Sequence, residues 1–182
     1  MKAALALLFL FTANINIYAQ GQAYEAKLSP VRTETVPLPV FKLEALDGRT
    51  TLAACAKLFS SFIDPDFKNW GLDKFSRRSQ ATSLELTRVF SPDFEKLLAQ
   101  TDSALDAQAL TLSQVIRFCQ KYTGWIKGER AFFFLLREGH QRFYAVAYED
   151  RDGLNLLIRR EAFAFMWYSK EFRYLVTQSR AQ

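Results

Sequence analysis

Residues 131–136 read AFFFLL, six apolar side chains in a row with no polar residue among them to face water. Side chains along a strand alternate between two faces, so such a run suits a central strand covered on both sides. Through Arg137 the segment is read as that strand, and Glu138-Gly139-His140 after it as a hairpin turn. From Gln141 to Glu149 the pattern alternates, with Arg142, Tyr144, Val146 and Tyr148 against Phe143, Ala145 and Ala147. Asp150-Arg151-Asp152-Gly153 turns the chain again, and Leu154 to Arg159 makes a third strand. This is an antiparallel meander. Phe163 to Tyr168 fits strand or helix, and Phe172 to Thr177 reads as a last strand.

Upstream the period is helical. Leu52, Cys55, Phe59 and Phe62 fall at three-to-four spacing and predict a helix over Thr51 to Ile63. Asp64-Pro65-Asp66-Phe67 and Ser91-Pro92-Asp93-Phe94 share one arrangement. A capping residue precedes Pro at the first helical position, and an acid follows in the first turn. Both are read as helix starts, the first stopping at Gly71 and the second running to about Gln100. Leu84 to Phe90 fits strand or helix. Thr111 to Ile126 is the best helix in the chain, opened by a Thr111–Gln114 capping box. Leu112, Val115, Ile116, Cys119, Tyr122 and Ile126 share its apolar face. Helices first and a meander afterwards predict an α+β fold, with N-terminal helices packed on one face of a C-terminal antiparallel β-meander of three to five strands.

The N-terminus carries an export layout: Lys2, then nine apolar residues from Ala3 to Phe11, a polar stretch, and Ala19 before Gln20. Residues 1–19 are read as a cleaved secretory signal peptide, with cleavage after Gly21 the near alternative. An uncleaved anchor is the rival reading, but the apolar part is half the roughly 20 residues a spanning helix needs. No other segment is apolar for long enough to cross a membrane. Residues 20–45 form an extended arm containing Pro30, Pro37 and Pro39, which could add a strand to a neighbour and make a homo-oligomer. Residues 46–178 make a single α+β domain, and 179–182 a flexible tail. The expected location is the periplasm or the extracellular space.

Composition excludes several classes. With 49% hydrophobic residues, 7 Gly and 5 Pro, the chain is neither disordered nor collagen-like. The net charge of +5 falls to +4 when Lys2 leaves with the leader, and it is dispersed. Arg77-Arg78 and Arg159-Arg160 are the only basic pairs. Nucleic acid is therefore not expected as a partner. Isolated glycines make no phosphate loop, so no nucleotide cofactor is expected either.

The chemistry-bearing residues are few. Cys55 and Cys119 are the only cysteines; export favours a disulfide between them, and two separately buried thiols are the alternative. His140 is the sole histidine and stands in a turn, so a His/Cys metal site lacks ligands. Asp64 and Asp66 beside Trp70 could form a paired-carboxylate hydrolase site, against their reading as helix-start residues. Asp64-x-Asp66 also opens like a calcium loop, but Lys68 and Phe75 stand where ligands are required. Trp167, Tyr168 and Arg173, together with a solvent-facing side of the sheet, make a candidate binding surface, because such residues favour interfaces. The leading expectation is an exported, non-catalytic domain binding a protein, an envelope polymer or a small ligand. The carboxylate-dependent secreted hydrolase is the alternative.

Overall fold

The apolar run at 131–136 lies inside a seven-stranded mixed sheet. The computed structural model describes residues 39–88, 107–160 and 172–179. All belong to one compact unit, Val36–Gln182. The strands are β1 (Phe41–Leu43), β2 (Phe62–Ile63), β3 (Thr82–Arg88), β4 (Arg130–Glu138), β5 (Gln141–Glu149), β6 (Leu154–Arg159) and β7 (Phe172–Gln178). Two α-helices occur among the described residues, α1 (Asp66–Asn69) and α2 (Leu112–Lys121). The strand order is β1-β3-β7-β4-β5-β6-β2, antiparallel except for the parallel pairs β4–β7 and β2–β6.

This corrects the expected α+β arrangement of N-terminal helices on a three-to-five-stranded antiparallel meander. Three strands come from the N-terminal half, and two pairings are parallel. Thr51 to Ile63 is not a helix. It contains one 3-10 turn, Ala53–Cys55, and ends in β2. Its apolar residues are buried at Leu52, Cys55 and Phe59, but Phe62 is exposed. Ser60-Ser61 lies between those two parts. Ser and paired Ser residues compete with helical bonding, and the Ser61 amide instead bonds the Leu154 carbonyl at 3.3 Å, leading the chain onto the β6 edge. Residues 82–88, which fit strand or helix in sequence, are β3: Leu84 and Leu86 turn inward while Glu85 and Thr87 are exposed. β1 takes Phe41–Leu43 out of the expected arm and into the sheet.

Elsewhere the periodicity is followed closely. β5 and β6 have the expected bounds, the Gly139-His140 hairpin leaves His140 exposed, and β7 extends one residue further. α2 opens with the Thr111–Gln114 capping box in both directions, at 3.2 and 2.8 Å. α1 is short and is followed by Gly71 at φ 70°, a left-handed conformation that glycine adopts without strain. The second proline-led helix start, Ser91 to Phe94, lies outside the described residues.

Both faces of the sheet are apolar at its centre. Phe132, Phe134, Phe143, Ala145, Leu156, Ile158 and Val176 join the larger core with Val115, Ile116 and Phe118 of α2. Phe133, Leu135, Tyr144, Val146, Leu157 and Leu175 form the opposite core with Ala109. The expected wet face is therefore absent from the middle of β4, β5 and β6. α2 also clamps the edge strand β1. Phe41 packs on Phe118, Tyr122 and Trp125 with ring centroids 4.5 to 5.4 Å apart. The Tyr122 hydroxyl donates to the Lys42 carbonyl and accepts from the Lys42 amide. Glu44 pairs with Arg117 and Lys121.

A buried glycine draws the N-terminal loop against residues 72–81. Gly48 has φ 78°, and a Cβ there would lie 2.1 Å from the Ser76 carbonyl oxygen. Ser76 N–H donates to Gly48 O at 2.9 Å, and Leu46 bridges Ser79. Gly48→Ala should lower unfolding stability by at least about 2 kcal/mol, from the left-handed backbone plus a clash with backbone atoms. Gly128→Ala, at φ 73° with open space around it, should cost about 1 kcal/mol. Urea unfolding of both variants separates the two contributions; equal losses would show that the Ser76 approach is not what holds the loop.

Candidate functional site

The carboxylates singled out in sequence are built into the scaffold. Asp64 follows β2 and is buried, with 5% of its surface exposed. Its amide bonds Leu156 O at 2.9 Å, continuing the parallel ladder with β6. Oδ1 accepts from the Asp66 amide at 3.1 Å, in the first turn of α1. Oδ2 accepts from the Ile158 amide at 3.4 Å and from the Arg159 guanidinium. Asp66 Oδ1 accepts from Asn69 Nδ2 at 3.0 Å. Both oxygens of Asp64 thus have partners within the fold. A hollow of about 190 Å³ lies alongside, lined by Asp64 itself with Lys68 and Asp73 as well as by Leu52, Ile63 and Phe67. Trp70 is not an open stacking platform: Phe143 stacks on it at 5.6 Å and the Arg160 guanidinium lies 4.8 Å from its ring centroid.

Cys55 and Cys119 are free thiols, and the expected disulfide is not made. Each packs as a small apolar side chain in the larger core, Cys55 on the 3-10 turn and Cys119 on the inner face of α2. Burial pushes both thiols up, Cys119 strongly, so neither is a ready nucleophile. Of the residues proposed for binding, Trp167 and Tyr168 lie outside the described residues. Arg173 is half-buried on β7 opposite Ala131. No group of His, Cys, Asp and Glu among the described residues could hold a metal ion.

The exposed chemistry lies instead on the strap from Leu72 to Ala81, between α1 and β3. Lys74, Phe75, Arg77 and Arg78 are all exposed there. Phe75 is 70% exposed, the most of any described large apolar residue. The strap's base is fixed. Leu72 is buried, and the Leu72 and Asp73 amides both bond Phe67 O at 2.7 and 3.2 Å. Its middle is tied through Ser76, whose Oγ lies 2.7 Å from Ser113 Oγ in the first turn of α2. Ser113 Oγ in turn donates to Thr50 O at 3.3 Å.

Between the strap and the start of α2 opens a cleft of about 290 Å³. Arg77, Arg78 and Gln80 contribute one wall, with Thr111, Gln114 and Gln178 opposite; none of the described residues lining it is acidic. A second hollow of about 110 Å³ lies beside Phe75, with Lys74, Arg137 and Glu138 on its rim. Two guanidiniums on a polar cleft favour an anion, because guanidinium donors match carboxylate and phosphate oxygens. Sequence reasoning registered Arg77-Arg78 only as a basic pair. The signal that could have raised it is an unpaired Phe in a polar run, with cations on both sides and no period to bury it.

No family model, curated protein or solved structure matches the chain.

Asp64→Ala should cost about 2–3 kcal/mol, because it strips two backbone amides and a guanidinium of their acceptor. Asp64→Asn should cost less. Denaturant unfolding checks this, and a loss below about 0.5 kcal/mol for Asp64→Ala would refute the structural role. For the cysteines, two thiols should react after unfolding without reductant, while Cys119 should stay unmodified in the native protein. A mass that rises by two hydrogens on reduction would contradict free thiols.

Proposed function

We propose that this chain is an exported, non-catalytic binding domain, and that its partner is an anion met by the strap and the adjoining cleft. The observation that carries the reading is the cleft itself. It is lined by the Arg77-Arg78 pair with Gln80, Thr82, Thr111 and Gln178, and no carboxylate stands among the described residues lining it. The strap contributes Lys74 as well, and its only acid, Asp73, sits at its base. Such one-signed charge on a fixed segment raises the local concentration of anions and speeds their encounter.

Export is supported by the leader at residues 1–19, with its Lys2, apolar run and small residue at 19. No helix among the described residues is long and apolar enough to cross a membrane. The non-catalytic reading is supported by the fate of the candidate nucleophiles and carboxylates. Asp64 is bonded on both oxygens, Asp66 serves the first turn of α1, and the thiols are buried. None of them faces the cleft.

Labelled polyglutamate is a suitable probe, followed by fluorescence anisotropy across a salt series. Binding should weaken steeply with salt, and R77A/R78A should weaken it at least about tenfold while leaving thermal unfolding unchanged. Binding that ignores both salt and the double substitution would overturn the reading.

A further inference from the structure

The anionic-partner reading leaves one exposed group unused, and that group points to the class of partner. Phe75 stands between Lys74 and the Arg77-Arg78 pair with 70% of its surface in water. Keeping a Phe side chain hydrated on a strap this well anchored is unfavourable, and the hollow beside it is only about 110 Å³. A soluble acidic polymer neutralises the cations but offers no apolar phase for the ring. A lipid surface offers both, phosphates at the headgroup level and hydrocarbon just beneath.

We propose that the strap docks on an anionic lipid bilayer, with Phe75 entering the headgroup boundary and Lys74, Arg77 and Arg78 against lipid phosphates. Two features of the fold suit the task. The strap is held at Ser76 by the Gly48 carbonyl and by the Ser113 hydroxyl, so its ordering cost is met on folding rather than on docking. The charges around Phe75 are mostly of one sign. Lys74 and Arg137 share the rim of its hollow with Glu138, and Asp73 two residues before Phe75 is the other acid nearby, against Arg77 and Arg78 just after it. A few cations near an anionic leaflet each add about fivefold in affinity, which alone gives weak, reversible attachment. Inserting one aromatic ring supplies the second signal that such attachment needs.

The test is co-sedimentation of protein recovered from the exported fraction with two kinds of vesicle, phosphatidylglycerol mixed with phosphatidylcholine, and phosphatidylcholine alone. The protein should sediment with the anionic vesicles and stay in solution with the neutral ones. Phe75→Ala should weaken vesicle binding about tenfold and leave polyglutamate binding unchanged. R77A/R78A should weaken vesicle binding about 30-fold and reduce polyglutamate binding too. Phe75 and both arginines are exposed, so unchanged thermal unfolding of each variant is expected and is to be confirmed first. Equal vesicle binding by Phe75→Ala and the parent, or no sedimentation of the parent, overturns docking on lipid. If polyglutamate still binds, the lipid inference alone falls; if that binding is also absent, the anionic-partner reading falls with it.

Discussion

β4 is apolar on both faces, and most of the architecture follows from that one constraint. A strand that can turn no side toward water needs neighbours on both edges and cover on both faces. Its register with β5 shows how the cover is accommodated. Phe132 and Phe134 stand opposite Ala147 and Ala145, so large rings face small residues on one side of the sheet. The space so left is taken by Phe118 of α2, whose ring lies 5.5 and 5.3 Å from those two. On the other side Phe133 and Leu135 stand opposite Val146 and Tyr144, a flatter pairing of larger side chains. β7 completes the second edge in parallel, setting Val176 beside Phe134.

The surface strap inherits its position from this core. Phe118 seats α2 on the sheet, and the opening turn of α2 carries Ser113, which holds Ser76. From the other direction, the β1 clamp places the loop that contains Gly48, and the Gly48 carbonyl receives the Ser76 amide. The strap is therefore fixed by two elements that are themselves fixed by aromatic packing. A loop held in this way presents Lys74, Phe75 and the two arginines in one place rather than as a mobile tail.

Where local pattern and tertiary pairing agree, the fold was legible in sequence. The start of α2, the Gly139-His140 hairpin, β5 and β6 lie where capping, turn and alternation signals put them. α2 itself ends at Lys121, short of the expected Ile126, and gives way to a 3-10 turn at Thr123–Trp125. Legibility failed where a segment's periodicity was overruled by a distant partner. Leu52, Cys55 and Phe59 are spaced as on a helix, and they are buried, but the chain after Phe59 leaves to pair with β6, about 90 residues away in sequence. A two-residue parallel pairing leaves almost no trace in sequence. The expected wet face failed for a related reason: Tyr144 and Arg142 on alternate positions look solvent-facing, whereas Tyr144 is packed in the second core. The strap was illegible because its meaning is a negative property, an apolar residue that nothing buries, and exposure cannot be read from residue type.

Charge sorting across the described surface separates scaffold from candidate site. Asp64 meets Arg159 and two backbone amides; Glu44 meets Arg117 and Lys121; Arg160 lies over Trp70. Each of these charges has a local partner and thus a structural explanation. The exposed pairs of Glu44 contribute little to stability, but they do neutralise one another. No described acid lies within ion-pair distance of Lys74, Arg77 or Arg78. Uncompensated cations are ordinary when scattered singly. Three of them around a hydrated Phe, on a segment pinned by a buried glycine and the first turn of a helix, are not scattered. On the proposed reading, a segment tied at Ser76 in this way has met part of its ordering cost before docking, and an anionic surface with an apolar layer beneath it suits both the cations and the ring.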